Sequence, residues 1–538
     1  MGESPSTGEI LNQTPAFCDA NLAAIEAPLL AYSGLGGRER TALLALGAAW
    51  GEADRMALGR LANENPPRLR THDPQGRRLD LVEFHPAYHA LMSESTTAGL
   101  SASTWSGGSH VERAARLYLI SQVEAGHVCP MTMTHAAPAA LAATPELAKQ
   151  WLPRIRSRHY DGRFAPFWEK SGVTLGMGMT EKQGGTDVRA NLTRAAAVGG
   201  GEYEITGHKW FFSAPMSDAF LVLAQAEGGL SCFLMPRFRP DGAVNGLRFQ
   251  RLKDKLGNRS NASSEVEFER AFAWGVGEEG RGVPTIIQMV QLTRLDCAVS
   301  SAGLMRLGLT LALHHARHRK VFGKRLVDHG AMRLLLADLA LEAEASTALV
   351  MRLARAFDGM ARDPAEAARA RLLTPSVKFS VCKAAPGFIY EAMEALGGNG
   401  YVEESPLPRL YREAPVNSIW EGTGAVVALD LLRAAGREPE AAQALVEGLR
   451  DEAAGLPGVV ETAEEVLRLL SIREGDAHAR RAADRLSALA ATAALAKGGP
   501  APVAEAYART RLAERHGLYG TAELEDVAGA LLERAYQT

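Results

Sequence analysis

Cysteine is scarce in this 538-residue chain: Cys18, Cys129, Cys232, Cys297 and Cys382 are widely spaced, odd in number and include no C-x-x-C pair. Such a set supplies neither a disulfide frame nor a structural zinc site, and it points to a reducing, cytoplasmic setting. Nowhere do about 18 apolar residues follow one another, and the opening "MGESPSTGEILNQTPAF" has no basic stretch leading into an apolar one, so neither a membrane span nor a secretory signal is expected. The same opening fits the loose M-G-x-x-x-[ST] acylation pattern, but no basic cluster follows to give a second membrane signal, and no membrane partner is expected. A net charge of -3 gives no global attraction to polyanions, so nucleic-acid binding would need a local basic patch. Metal-ligating patterns are also missing. His314, His315 and His318 include an i, i+4 pair, yet no H-E-x-x-H arrangement accompanies it, and no metal site is expected.

What is present is a long chain with enough apolar residues for roughly three or four domains or lobes. From Asn21 to about Tyr160 apolar residues recur at helical spacing, as in "VERAARLYLISQVEAG", and strand-like alternation is nearly absent. From about Ser171 to Trp274 the text changes to short glycine-bounded runs such as "GEYEITGHKWFFSA" and "SEVEFERAFAW", which read as strands. Beyond Gly282 long helical pieces return, enough for a four-helix bundle, and after Arg437 the composition shifts to Ala, Glu, Leu and Arg. The divisions are 1–170 (N-terminal helical domain), 171–278 (middle antiparallel β domain), 279–437 (four-helix bundle) and 438–538 (helical C-terminal extension), a mixed α and β fold.

Several stretches can carry chemistry. In "GMGMTEKQGGTDVRAN", residues 176–191, Gly184 and Gly185 let backbone amides approach a ligand while Thr180 and Thr186 offer hydroxyls; a glycine turn between strands explains the same spacing. In "GHKWFFSAP" strand alternation sends Trp210 and Phe212 to one face and Phe211 with Ser213 to the other, so one face is core and the other a wall for a flat ring, unless the whole is a plain core strand. The cations of "ARHRKVFGKRL" suit a helix C-terminus or a phosphate-rich ligand. Glu421, in "NSIWEGTGAVVALDLLR", is either a polar neighbour of a helix cap at Thr423 or Gly424, or a base whose pKa rises in an apolar setting to which Trp420 contributes; the local chemistry leaves both open.

In order along the chain, "MTEKQGGTDV", "GHKWFFS", "KDKLGNRSNASSEVEF", "RKVFGK", "EALGGNGYVEESPLPRLYRE" and "WEGTG" resemble the acyl-CoA dehydrogenase superfamily, and their wording is similar to its AidB branch, the flavoproteins of the adaptive response to DNA alkylation. The resemblance covers residues 20 to 435 clearly and the remainder by general character. It implies FAD between the β domain and the bundle of a homotetramer. By motif, Met179 and Thr180 would line the flavin ring, Gly185 and Thr186 would approach the ring or its phosphates, and Phe211, Phe212 and Ser213 would cover it. Arg319 and Phe322 would reach the cofactor of a neighbouring subunit, Gly398 would lie near phosphates, and Thr423 would contact the cofactor. Glu421 matches the catalytic base, Arg294 an arginine supporting the active-site region, and Trp420 and Gly422 flank the base on the substrate side. The implied reaction is α,β-dehydrogenation of an acyl thioester, with Glu421 taking the α-proton while a hydride passes from the β-carbon to the flavin. Departures fall at Gly330, Glu394, Ala425 and Val427, where relatives carry polar groups for the cofactor.

The AidB likeness further implies weak activity on a short branched acyl-CoA such as isovaleryl-CoA and sequence-independent binding of double-stranded DNA through the C-terminal region. Residues 441–538, however, carry 11 Lys plus Arg against 15 Asp plus Glu, a net of -4. The basic residues that cluster are Arg473, Arg480, Arg481 and Arg485, which would track phosphates or form an amphipathic surface helix. A catabolic acyl-CoA dehydrogenase without DNA binding, and a flavin-binding DNA-protection protein without turnover, are the alternatives.

Overall fold

The computed structural model describes residues 13–472, 476–514 and 517–537. The N-terminal part contains α1 (Ala27–Ser33), α2 (Gly37–Trp50), α3 (Ala53–Glu64), α4 (Pro86–Thr97), α5 (His110–Val123), α6 (Val128–Leu141) and α7 (Pro145–Ile155). Helix α5 starts where the Ser109 hydroxyl accepts the Glu112 amide, and nearly all of its residues are buried, as are those of α6.

One feature departs from the helical reading of this region. Strands β1 (Arg68–His72) and β2 (Arg78–Glu83) pair antiparallel, with Leu69 opposite Val82. The intervening turn is fixed by Asp73, whose carboxylate accepts the amides of Gln75 and Arg77. The buried Asp80 carboxylate accepts from Arg78 at 2.7 Å and from the amide of Phe249 at 3.0 Å, so the hairpin is tied to the β domain.

The β domain comprises β3 (Leu175–Gly178), β4 (Arg194–Gly199), β5 (Glu202–Ser213), β6 (Ala219–Ala226), β7 (Gly229–Pro236), β8 (Leu247–Leu252) and β9 (Ser263–Val276). Strand β6 pairs with β7, β7 with β9, β9 with β5 and β5 with β4, while β4 meets β6 at Arg194 and Gln225, closing a ring around Phe212, Phe220, Phe249 and Phe268. The domain is not wholly antiparallel as expected: β3 runs parallel to β6, since the chain leaves β3 through the glycine-rich loop and returns to the same end of the sheet. Lys209 and Glu181, both 0 % exposed, pair at 2.8 Å against this core. Burial draws the Lys209 ammonium down to about 8, whereas Glu181, despite its burial, is held at about 2 by Lys209 and by backbone amides.

The helices that follow are α8 (Gly282–His318), α9 (Gly330–Gly359), α10 (Pro364–Glu394), the short α11 (Gly398–Tyr401), α12 (Pro406–Asn417) and α13 (Gly424–Arg437). By length and composition α8 is apolar enough to cross a membrane, but it is enclosed by α5, α6, α9 and α10 and forms the spine of the bundle. Beyond it α14 (Pro439–Glu452), α15 (Val459–Ser471), α16 (Ala479–Gly498), α17 (Ala501–Tyr507) and α18 (Ala528–Ala535) complete the chain's helices. Helix α16 rests on α9, α10 and α13, and α18 rests on α9 and α1, so the described residues beyond 437 share the apolar core of the bundle. The Gln537 amide donates to the Ile25 carbonyl at 3.0 Å.

Arg113 on α5 clamps Asp296 on α8 with two hydrogen bonds of 2.6 and 2.7 Å, both side chains being 2 % exposed. Asp296→Ala would leave the guanidinium buried without its partner, and a loss of about 3–5 kcal/mol in unfolding free energy is expected, read as a lower urea midpoint of the flavin-loaded protein.

Candidate active site

The turn between α12 and α13 is built from one side by α8. Asn417 donates to the Ser301 hydroxyl at 3.0 Å and accepts the Trp420 indole N–H at 3.1 Å, which anchors the start of the turn. Glu421 then takes φ 58° and Gly422 φ 103°. Left-handed backbone at an L-residue costs roughly 1–2 kcal/mol, so the surroundings must impose it. Part of the cause is Arg294, whose Nε–H donates to the Glu421 carbonyl at 3.0 Å while a terminal nitrogen holds Asp430 at 2.6 Å.

The two readings of Glu421 are decided by its partners. Thr423 is the N-cap residue of α13, yet its hydroxyl makes no capping bond, and the Glu421 carboxylate is engaged with Thr293 of α8 instead of the helix amides. Although the residue retains some exposure, Glu421 Oε2 is shut off from solvent and has no hydrogen-bond partner. Burial lifts its pKa above the ordinary carboxylate value, with Thr293, Arg294 and Lys378 pulling it back. An unpartnered oxygen of this kind is poised to accept a proton from a bound molecule.

The glycine-rich loop forms a second wall. Trp210 N–H donates to the Thr180 carbonyl at 2.8 Å and Asn191 donates to the Met179 carbonyl at 3.1 Å, while Glu181 accepts the Leu192 amide at 2.7 Å. Met179 and Thr180 are half-exposed, and Thr186 is exposed. Gly185 lies so close to Thr180 that a Cβ there would come within 2.3 Å of the threonine Oγ1. The loop is therefore a folded unit rather than a slack turn.

In β5 the expected alternation separates Phe212 from Phe211 and Ser213 but fails at Trp210, whose ring lies with Phe211 beside Lys253. A bulge between Lys209 and Phe212 turns both of those side chains inward, so Phe212 lies in the barrel core, its ring 4.2 Å from Phe220, and does not cover a cofactor. Phe211 is 53 % exposed and remains available. Ser213 Oγ lies 3.2 Å from Ser263 Oγ, which also receives a hydrogen bond from Lys255 Nζ at 3.1 Å. Lys255, lowered to about 8 by burial, acts electrostatically on Cys129 of α6, and Cys129, its thiol raised to about 12 by burial, also feels Glu421. Cys129 is thus the one group on which charges from both sides, Lys255 and Glu421, act. Thr293, Cys129, Lys255 and Ser263 were not singled out by sequence; Lys255 and Ser263 lie in a family motif, but nothing local marks the other two.

Other expected residues lie elsewhere. Arg319 follows α8, 25 positions beyond Arg294 and about 37 Å along the axis. Phe322, 97 % exposed, tips the hairpin of β10 (Lys320–Val321) and β11 (Lys324–Arg325), where it and Gly323 both take positive φ. One chain does not bring these residues to Glu421. Gly398 follows the left-handed Gly397 with open space where a Cβ would stand. Of the departures, Val427 is fully buried in the core, Ala425 is exposed, and Glu394 is hydrogen-bonded to Tyr390.

The basic cluster needs a correction. Arg485 is 5 % exposed and points inward, donating to Glu465 at 2.9 Å, to Thr462 at 2.5 Å and to the carbonyls of Arg511 and Leu512, so it cannot meet DNA phosphates. Arg481 pairs with the same Glu465, and Arg480 lies 5.4 Å from the Phe379 ring, both on the exposed side of α16. Arg473 lies outside the described residues. His314 bonds to the Pro15 carbonyl and His318 to the His314 carbonyl.

The groups present suit a flat heteroaromatic ring with polar edges: hydroxyls at Thr180 and Ser213, an exposed Phe211 face, a close-packed glycine loop and, on the bundle, an unpartnered carboxylate oxygen. The comparisons agree with that chemistry. The family model described as "Adaptive response protein AidB N-terminal domain" matches residues 12–162, that for the acyl-CoA dehydrogenase middle domain matches 176–271 and that for its C-terminal domain 280–436. The chain is 47 % identical over 481 residues to the putative acyl-CoA dehydrogenase AidB of Escherichia coli (strain K12), covering 88 % of each. It superposes with a TM-score of 0.85 on Caenorhabditis elegans ACDH-11 in complex with C11-CoA, at 28 % identity and covering 95 % of this chain and 94 % of that one. An acyl-CoA dehydrogenase complexed with FAD from Bacillus anthracis shares the fold, with a TM-score of 0.72 at 17 % identity over 97 % of this chain and 100 % of that one.

Gly185→Ala would press on Thr180 at a cost of about 1–3 kcal/mol. A rise on the order of tenfold or more in the flavin dissociation constant is expected, measured by fluorescence of flavin released on dilution.

Proposed function

The chain belongs to the acyl-CoA dehydrogenase family, with an AidB-type N-terminal domain, and on that premise we propose that it dehydrogenates a short or branched acyl-CoA of the isovaleryl type, slowly, using Glu421 as base. It is an FAD-dependent oxidoreductase of acyl-CoA. The observation that carries the assignment of the base is the buried, unpartnered Glu421 Oε2 on a left-handed turn.

Bound FAD supplies the hydride acceptor. The protein's own work is to place and activate the carboxylate. Glu421 Oε2 takes the α-proton of the thioester, and its raised pKa makes it a stronger base than a surface glutamate. Arg294 fixes the turn that carries it. Met179, Thr180, Phe211 and Ser213 would hold the cofactor on the β-domain side. The bulk of "KWFFS" supports a short or branched acyl group; the relative solved with C11-CoA makes a longer ester the competing case.

Assembly as a homotetramer is supported by Phe322 and Arg319, which need a second copy to reach a cofactor. The adaptive-response part of the reading rests on the N-terminal domain match, and duplex DNA binding would fall to Arg480 and Arg481. Binding carried by these groups is sequence-independent and salt-sensitive.

Anaerobic bleaching of the yellow protein by isovaleryl-CoA, against C11-CoA, tests the activity. Faster bleaching by isovaleryl-CoA is expected, and Glu421→Gln should slow it by about 10²–10⁴-fold or more; unchanged bleaching overturns the base assignment. Because only the ionised carboxylate accepts a proton, the rate should fall as pH drops through the Glu421 pKa, at higher pH than for an ordinary glutamate. For DNA, reversing Arg480 and Arg481 to Glu should lower the slope of log affinity against log salt by roughly 2, and an unaltered slope removes α16 from the interface.

A further inference from the structure

Around Glu421, consecutive backbone carbonyls are each held by a buried cation. Lys378, on α10 and 1 % exposed, donates from Nζ to the carbonyl of Trp420 at 2.8 Å and to that of Gly422, on either side of the carbonyl of Glu421 that Arg294 holds at 3.0 Å. A lysine enclosed in a helix bundle is costly unless its donors are met, and here the donors run to carbonyls of a single strained turn rather than to a carboxylate. Those three carbonyls bracket the one position, φ 58°, whose backbone an L-residue does not adopt unaided.

We propose that Lys378 is a positioning residue for the base: its ammonium clasps the carbonyls on both sides of Glu421, imposes the left-handed turn together with Arg294, and so aims the carboxylate into the site. This rests on Glu421 acting as the base. Facing Glu421 are Thr293, Arg294 and Cys297 from α8, Cys129 from α6 and Lys378 itself, while Lys378 also faces Cys382 on its own helix. Burial keeps the three thiols neutral, leaving Lys378 and Arg294 as the charges that act on the carboxylate.

The test compares FAD-loaded wild type with Lys378→Met, Lys378→Arg and Glu421→Gln, by anaerobic bleaching with isovaleryl-CoA across pH and by hydrogen exchange of the amides of residues 420–424. For Lys378→Met the limiting bleaching rate is expected to fall on the order of 10²-fold, the effect of a base misplaced by about 1 Å. The ester dissociation constant should stay unchanged, the acid limb should move to higher pH as the ammonium's pull is lost, and the amides should exchange faster. Lys378→Arg should recover part of the rate. Wild-type rate, acid limb and exchange in Lys378→Met overturn the proposal, as does a rate loss explained entirely by weaker ester binding. If Glu421→Gln still bleaches, the base assignment fails by itself, and the exchange measurement alone then decides whether Lys378 holds the turn. Should Lys378→Met not fold, Lys378→Gln takes its place: slower bleaching with faster exchange upholds the proposal, and wild-type values overturn it.

Discussion

Helix α8 is buried along most of its length, and the charged and amide-binding side chains it turns inward are met by other elements, because water cannot do so. Arg294 is met by the Glu421 turn and by Asp430, Asp296 by Arg113 of α5, and Ser301 by Asn417 of α12. Arg306 is met by Glu26 just before α1, at 3.3 Å, and by the Ala535 carbonyl of α18. The spine thereby fixes where the N-terminal helices, the active-site turn and the C-terminal helices lie relative to one another. The accuracy of the site follows from the same constraint, since a side chain held on a buried helix is positioned better than one on a loop.

Charge in the C-terminal segment is spent inward. Arg511 is bonded to Asp338 and Glu342, Arg534 to Glu344, and Arg485 to Glu465, so acids of α9 and α15 consume guanidinium groups that a count of basic residues would assign to the surface. Tyr32 joins the same network through Glu344. The segment behaves as a buttress of the bundle, and the cationic surface left on α16 is small.

The broad fold was legible because its signals are long: helical periodicity over dozens of residues, a block of glycine-bounded strands, and an ordered set of motifs. The β1–β2 hairpin escaped notice because its short strands are rich in arginine and Asp80 breaks their alternation with a left-handed backbone. Phe212 was misassigned because the motif likeness carries Phe211, Phe212 and Ser213 to the cofactor together, whereas strand alternation sends Phe212 to the barrel core, opposite the other two. Arg485 looked like a surface residue on an arginine-rich helix, and only tertiary packing shows that it faces α15. Glu421 could be located by motif order, but its strained backbone and its partners Thr293 and Lys378, each from a different helix, are long-range facts that spacing does not encode.

The bond from Gln537 to the Ile25 carbonyl, with Arg306 reaching the Ala535 carbonyl, sews the far end of the described chain to its first helix. During synthesis α1 cannot settle into its final contacts until α18 has left the ribosome. A nascent chain that already contains the base, the spine and the whole β domain would still show the α18 side of α9 as an open apolar face. Its completion is late and non-local, and the incomplete chain is exposed to aggregation for as long as that face stays open.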